Sequence, residues 1–332
     1  MKEKLINLVK NKKLQICGHW DTDGVASAAM LYHLLKPYCT SITTITKGKP
    51  FFILPEDINE DAEAIICTDI VPSEELLSLN SKIIYIDHHP NENSEKFHLS
   101  IHDPAAQSTT LLIYNTLLKD TGNPYLIFLA LIGYFGDGGD RNSIPPKLKA
   151  AAEELIPEML EKRESMFSSH FLEIERYVSA LNTGKRLHWS GEVPLELLKS
   201  IDCYKPFVNN FHPLAMQLQQ YRSMLREAYD QEFEVSTAGS IDYVMIKDPR
   251  NIQGVVAARY INNKPIIVMN QLGSEIIGSM RVPEDVDIDA GKFLELFNDK
   301  IESFFGGGHE KAAGFTMEEK DLSIFINSLK NQ

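Results

Sequence analysis

Apolar and polar positions follow two different periods along the chain, and the changes between them mark its elements. Short runs rich in β-branched and other apolar residues recur at 14–18, 41–46, 64–68 and 83–86, and the last of them, Ile83-Ile84-Tyr85-Ile86, has no polar interruption. Such runs predict strands, and an uninterrupted one predicts a strand buried on both faces. Between them the period lengthens. Val25, Ala28, Ala29, Leu31, Tyr32, Leu34 and Leu35 are the apolar positions of a helix over 25–36, and a short helix is predicted over 73–79. Strands alternating with helices imply right-handed crossovers and a parallel sheet. Two further helices are predicted, one over 111–119 and one beginning at Asn123-Pro124 and running through Leu126, Phe128, Leu129 and Ile132.

From about residue 145 to residue 234 the composition turns to Glu, Leu, Lys and Ala with helical periodicity, and Pro213 suits the first turn of a long helix over 214–233. The strand pattern returns at 241–246, 265–270 and 275–282, with a helix over 253–260. The expected protein is therefore α/β. It has a parallel-sheet domain over residues 1–185, a helical connector over 186–234, and a smaller α/β domain over 235–332.

With 332 residues, of which 43% are hydrophobic, two domains can each bury a core. The net charge of −13 argues against wrapping long duplex DNA, which needs a basic face, but not against a small anion site whose sign is reversed by bound cations. Cys17, Cys39, Cys67 and Cys203 have no Cys-x-x-Cys spacing, which suits a reducing, cytoplasmic compartment. The start, Met-Lys-Glu-Lys, has no signal-peptide pattern, and the apolar stretch over 125–135 is too short to span a bilayer, so no membrane role is expected.

The candidate chemistry lies where apolar elements stop. Residues 83–86 run into Asp87-His88-His89, and Pro90 ends strand pairing. Residues 14–18 run into His19-Trp20-Asp21-Thr22-Asp23-Gly24, so an imidazole and two carboxylates sit on alternate residues of one tight turn. Capping of the next helix accounts for one of these acids, not for a histidine and both. Residues 64–68 end at Asp69, and the apolar helix near residue 132 ends in Gly136-Asp137. Open α/β sheets place ligands beyond the carboxyl ends of their strands. His19, Asp21, Asp23, Asp69, His88 and Asp137 form a mixed carboxylate–imidazole set that suits Mn²⁺, and also Mg²⁺ or Zn²⁺. Six donors exceed what one catalytic ion with an open position needs, and two ions sharing a bridging carboxylate fit better. Ser108 and Thr109 read as helix caps or phosphate-facing hydroxyls. Near the other end, Gly306-Gly307-Gly308-His309, downstream of Ser279-Met280-Arg281, reads as a loop whose backbone N–H groups approach an anion.

The order His19-x-Asp21-x-Asp23-Gly24, Asp69, Asp87-His88-His89, Gly136-Asp137 resembles the DHH phosphoesterases. Gly306-Gly307-Gly308-His309 with Ala312-Ala313-Gly314-Phe315, together with Ser279-x-Arg281 and Gly254-Val255-Val256-Ala257, is similar to the DHH-associated domain of the RecJ-like nucleases and nanoRNases. The two-residue spacing from His19 to Asp21 matches the archaeal RecJ-like branch; family II pyrophosphatases set their first histidine further ahead.

The resemblance implies an active site in the interdomain cleft. It assigns one Mn²⁺ to His19, Asp21 and Asp69 and a second to Asp23, Asp69, His88 and Asp137, with Asp69 bridging. Mg²⁺ or another divalent ion is compatible with this set. Asp87 would orient a histidine, and His89 would contact the phosphate. Ser279, Arg281, Gly306, Gly307, Gly308 and His309 would hold the substrate. The implied activity is an exonuclease that releases mononucleotides from single-stranded DNA or RNA. The alternatives are a nanoRNase or cyclic or linear dinucleotide phosphodiesterase, and a non-catalytic scaffold associated with a helicase or the replication machinery. A short oligonucleotide substrate, a replication or repair protein partner and a homo-oligomer are all compatible with it.

Overall fold

The computed structural model describes residues 1–49, 51–91, 93–119, 121–164 and 170–330. The chain divides into two units, Met1–Arg222 and Ser223–Gln332.

The first unit begins with helix α1 (Lys2–Val9), followed by β1 (Lys13–His19), α2 (Thr22–Leu35), β2 (Ser41–Lys47), β3 (Ala64–Thr68), β4 (Lys82–Asp87) and β5 (Leu99–His102); among the described residues an α-helix joins β1 to β2, whereas turns and 3₁₀ segments join the later strands. All pairings are parallel, in the order β2-β1-β3-β4-β5. Strand order reverses between β1 and β3. Side chains alternate across the sheet. Leu14, Ile16, Ala64, Ile66, Ile84 and Ile86 enter the larger core, and Cys17, Ile65, Cys67, Ile83 and Tyr85 a smaller one on the other face. Burial on both faces is why these strands lack the apolar–polar alternation of a half-exposed sheet. The larger core is shared with α3 (Thr109–Leu117), α4 (Pro124–Gly136), α5 (Pro146–Leu155) and α6 (Glu173–Leu181), and, after the short helix α7 (Thr183–His188), with α8 (Glu192–Ser200). Helix α4 is buried almost all round, in keeping with its apolar sequence. Helix α9 (Pro213–Tyr229) starts at the proline expected for its first turn.

Two local expectations differ. The stretch 73–79 forms a 3₁₀ turn, Glu74–Ser78, where a short helix is predicted. Leu99–His102 is a fifth strand that the sequence pattern does not predict; its four residues alternate buried and half-buried, too short a run to stand out.

The second unit is a six-stranded mixed sheet of β6 (Ser236–Ala238), β7 (Ile241–Ile246), β8 (Ile266–Leu272), β9 (Glu275–Arg281), β10 (Phe305–Gly308) and β11 (Ala312–Glu318), ordered β6-β7-β8-β9-β11-β10. Only β7 and β8 pair in parallel, across the crossover helix α10 (Gln253–Tyr260). Its core is aromatic: Phe297, Phe304, Phe315 and Phe325 pack with ring centroids 4.9–5.6 Å apart. Among the described residues no helix is long and apolar enough to cross a membrane.

Candidate metal centre

Strand β1 delivers His19, and the turn that follows caps α2. Asp21 is the cap, accepting the Gly24 N–H at 3.1 Å. A Cβ at Gly24 would lie 2.4 Å from the His19 carbonyl oxygen, so only glycine lets the helix start this close to the strand end. Capping leaves Asp21 Oδ2 beside His19 Nδ1, at 2.9 Å. Asp23 lies in the first turn of α2, buried, and accepts backbone N–H groups from Thr109 at 2.6 Å and Thr110 at 3.1 Å, both in the first turn of α3.

Strand β3 ends at Asp69, which adopts a left-handed conformation, φ 59°, a geometry that aspartate tolerates better than most side chains. Its N–H donates to the Ile86 carbonyl of β4 at 3.0 Å, and its Oδ1 accepts the Thr109 hydroxyl at 2.9 Å. Asp69 reaches both neighbours: His19 Nδ1 is 3.8 Å from Oδ2, and His88 Nε2 is 3.7 Å from Oδ1.

At the end of β4, Asp87 is fully buried and works on its own loop. Its Oδ1 accepts the backbone N–H groups of His88 and His89 and the His89 Nδ1–H at 2.6, 2.9 and 2.8 Å, and its Oδ2 accepts the Tyr85 hydroxyl at 3.1 Å. His88 donates Nδ1–H to the Ala106 carbonyl at 3.1 Å, which fixes the tautomer and turns Nε2 toward the carboxylates. That Nε2 is 3.1 Å from Asp137 Oδ2, at the C-terminal end of α4. His102, from the strand that the sequence pattern does not predict, holds the His89 carbonyl at 2.7 Å.

Three groups of donors result, each with ligand atoms within 4.8 Å of one another: His19, Asp21 and Asp69; Asp23, His88 and Asp137; and Asp69, Asp87, His88 and His89. The structure thus brings together every side chain singled out at the strand and helix ends. They meet where the strand order reverses, the place at which doubly wound sheets bind ligands.

Crowding sets the electrostatics. Burial, and then Asp137, push the Asp23 carboxyl up to about 6. Burial and the surrounding aspartates hold Asp69 well above the usual carboxylate range. Burial opposes protonation of His88, but its hydrogen bond to Asp137 and the nearby carboxylates override it and raise the imidazole to about 9. Burial would also raise Asp21, yet the charges of His19 and Lys185 draw it well below its ordinary value. Proximity of like charges at this depth is what a bound cation relieves, and the carboxylate–imidazole donor set is that of a hard or borderline divalent metal.

One contributor is not marked in the sequence, and a second is marked for a different role. Lys185, on α7, lies 3.5 Å from Asp21 Oδ2; no strand end or motif precedes it, only the pair Lys185-Arg186. Thr109 reads in the sequence, like Ser108, as a cap or phosphate-facing hydroxyl. Ser108 does cap α3, through the Leu111 N–H, whereas the Thr109 hydroxyl supports Asp69.

In the second unit, Ser279 and Arg281 lie on β9, with Gly254 of α10 beside both side chains. Ser279, Gly314 and Gly307 form one row across β9, β11 and β10. The loop expected at Gly306–Gly308 is a strand, because residues 305–308 pair with 313–316. The Gly306 N–H is engaged by Asn298 Oδ1 at 2.8 Å, and a Cβ there would strike the Phe304 ring at 2.6 Å, so packing accounts for Gly306. At Gly307 the nearest atom to such a Cβ is 3.6 Å away, so packing does not account for this glycine. His309 follows the strand, its N–H donating to the Ala312 carbonyl at 2.9 Å.

Comparison with known proteins adds three observations. The DHH family N-terminal domain matches residues 13–133, and the DHHA1 domain matches residues 243–332. Among solved structures, the exonuclease RecJ bound to manganese superposes with a TM-score of 0.66 at 20% identity, over 99% of this chain and 93% of that one. RecJ from Thermus thermophilus in complex with Mn²⁺ gives the same score and identity, over 99% of this chain and 54% of that one. The DHH domain of a member of the s1p family of ribosomal proteins also scores 0.66, at 12% identity, over 99% and 88%. No curated protein matches.

Proposed function

The chain belongs to the DHH family of phosphoesterases, and from that premise we propose that it is a phosphodiesterase dependent on two divalent cations, manganese foremost, that removes mononucleotides from an end of single-stranded DNA or RNA. The observation that carries this reading is the convergence on Asp69, whose two carboxylate oxygens face a different imidazole each, at 3.8 and 3.7 Å. A carboxylate so placed suits the bridging position between two cations. His19, Asp21 and Asp69 would hold one ion, and Asp23, Asp69, His88 and Asp137 the other. A RecJ exonuclease with the same fold was crystallised with manganese, which fits this donor set.

Bound cations would supply Lewis-acid charge on the phosphate and lower the pKa of water. The chain's own residues do the rest. Thr109 and the first turn of α3 fix Asp69 and Asp23, so the donors are ordered in advance. Asp87 clamps the loop that carries both histidines and fixes the His89 ring through Nδ1, and this ring is the group that would contact the phosphate. The Lys185 ammonium adds positive charge beside Asp21. In the second unit Ser279, Arg281, Gly307 and His309 are the groups proposed to hold the nucleotide. A complete donor set argues against a purely scaffolding role.

The test uses the purified full-length chain with end-labelled short RNA, end-labelled short DNA and a cyclic dinucleotide, in Mn²⁺ and then in Mg²⁺. The expected result is a ladder of mononucleotide release from one end, abolished by chelation. A rate that is flat from two nucleotides upward would sink a processive exonuclease. No turnover of any of the three with either metal would end it.

A further inference from the structure

The donor cluster has an aromatic border that the reading above leaves without a task. Phe51, after β2, is 39% exposed, and its ring centroid lies 6.2 Å from that of His19. Trp20 lies 6.3 Å from His19, and Trp189 lies 5.8 Å from Trp20. The Lys49 ammonium sits 5.6 Å from the centre of the Trp189 ring.

These rings do not share one role. Trp20 is buried and structural: a Cβ at Gly48 would fall 2.0 Å from its indole, so the loop lies flat on that ring. Phe51 and the half-buried Trp189 are different, since each leaves aromatic surface in water. Trp189 is also held at φ 54°, a left-handed conformation unfavourable for a bulky side chain. Such a residue persists where its surroundings impose it, and functional sites are where these residues gather. Helix α7, which ends at Trp189, is the one that brings Lys185 to Asp21.

We infer that Phe51 and Trp189, with Lys49, form a stacking subsite for the base of the nucleotide whose phosphate occupies the donor cluster. The inference rests on the phosphodiesterase reading and adds a recognition element to it. A phosphate beside His19 carries its base one sugar away, which is the reach of the Phe51 ring. Every base presents a π face, so such a platform accepts any base and rejects a nucleotide that lacks one. Lys49 adds a cation where the phosphate backbone enters.

The probe is a dinucleotide and its analogue with an abasic residue in place of either nucleoside, hydrolysed by the full chain in Mn²⁺. The native protein should favour the base-bearing substrate by about tenfold in KM, the scale of one base–aromatic stack. In Phe51→Leu, which keeps an apolar side chain at an exposed position, that preference should fall to roughly twofold or less. Trp189→Leu should act in the same direction. A preference that survives in both variants overturns the inference, as does a native protein indifferent to the missing base. Failure of the phosphodiesterase reading is separable, because the chain's two tryptophans, Trp20 and Trp189, both lie in this border. Without hydrolysis, a phosphorothioate dinucleotide in Mg²⁺ still reports by fluorescence. Quenching by the base-bearing form alone supports stacking, and equal or absent quenching by both forms refutes it.

Discussion

The two units bury opposite things. Beyond β1, β3 and β4 the first unit sinks Asp23, Asp69, Asp87 and His88 out of solvent, next to one another. At comparable depth the second unit holds Phe297, Phe304, Phe315 and Phe325, ring against ring. Phenyl burial stabilises whatever surrounds it. Buried carboxylates within reach of one another do the reverse unless a cation intervenes, and the upward displacement of Asp23 and Asp69 records that conflict. One region is built to hold its shape unaided, the other to hold a charge it lacks.

The largest test of this contrast is Asp69→Asn. Asparagine accepts the left-handed backbone at this position and can still receive the Thr109 hydroxyl. Hydrolysis should fall on the order of 10⁴-fold or more, the scale for losing one member of a catalytic unit. Without metal, the variant should melt at or above the temperature of the native chain at neutral pH, because a repelled carboxylate has been neutralised. A metal-free variant several degrees less stable would mean that the carboxylate supports the fold by itself, and the contrast would collapse.

Phe325→Ala is the complementary change. Phe325 is fully buried and touches three other rings of the cluster. Truncation should remove about 3–5 kcal/mol from the second unit, read as a shift of the backbone circular-dichroism transition to lower urea. A loss below about 1 kcal/mol would mean that the rings repack around the cavity and that this core is less closely fitted than its geometry implies.

The same contrast explains what can be read in advance. The candidate site residues at 19–23, 69 and 87–89 are legible because each group follows an apolar strand, and a parallel sheet delivers its strand ends to one edge. The resemblance to a known family then groups them. Lys185 is not legible, since its approach to Asp21 depends on where α7 packs and not on any local pattern. Thr109 is half legible: a hydroxyl at a helix start predicts a cap, yet its neighbour Ser108 takes that role. The glycines at 306–308 suggest a loop because glycine permits one, but pairing with β11 decides the matter, and such pairing is a long-range fact. The aromatic core of the second unit is simplest in type, yet which rings meet is equally hidden.

The smallest and most discriminating effect concerns protons. In the metal-free chain Asp23 titrates at about 6, above the ordinary carboxylate value of about 4, so the folded state holds that proton more tightly than the unfolded state does. Its contribution to stability is therefore full below about pH 4 and is lost as the pH rises through about 6. His88, raised to about 9, contributes below about 6.5 and loses that contribution as the pH rises through 9. Asp21 and Asp87 are displaced downward and act in the other sense, stabilising above the ordinary carboxylate value. A divalent cation bound by Asp23 and His88 must displace their protons, so its affinity should climb with pH. Between pH 5.5 and 7.5 the rise should be about tenfold per pH unit for each proton released, or about a hundredfold if His88 alone releases one throughout. Calorimetric titration of Mn²⁺ in buffers of different ionisation heat would give both the affinity and the proton count. An affinity independent of pH, with no proton release, would show that the cation binds elsewhere and that the buried charges of the first unit are not waiting for it.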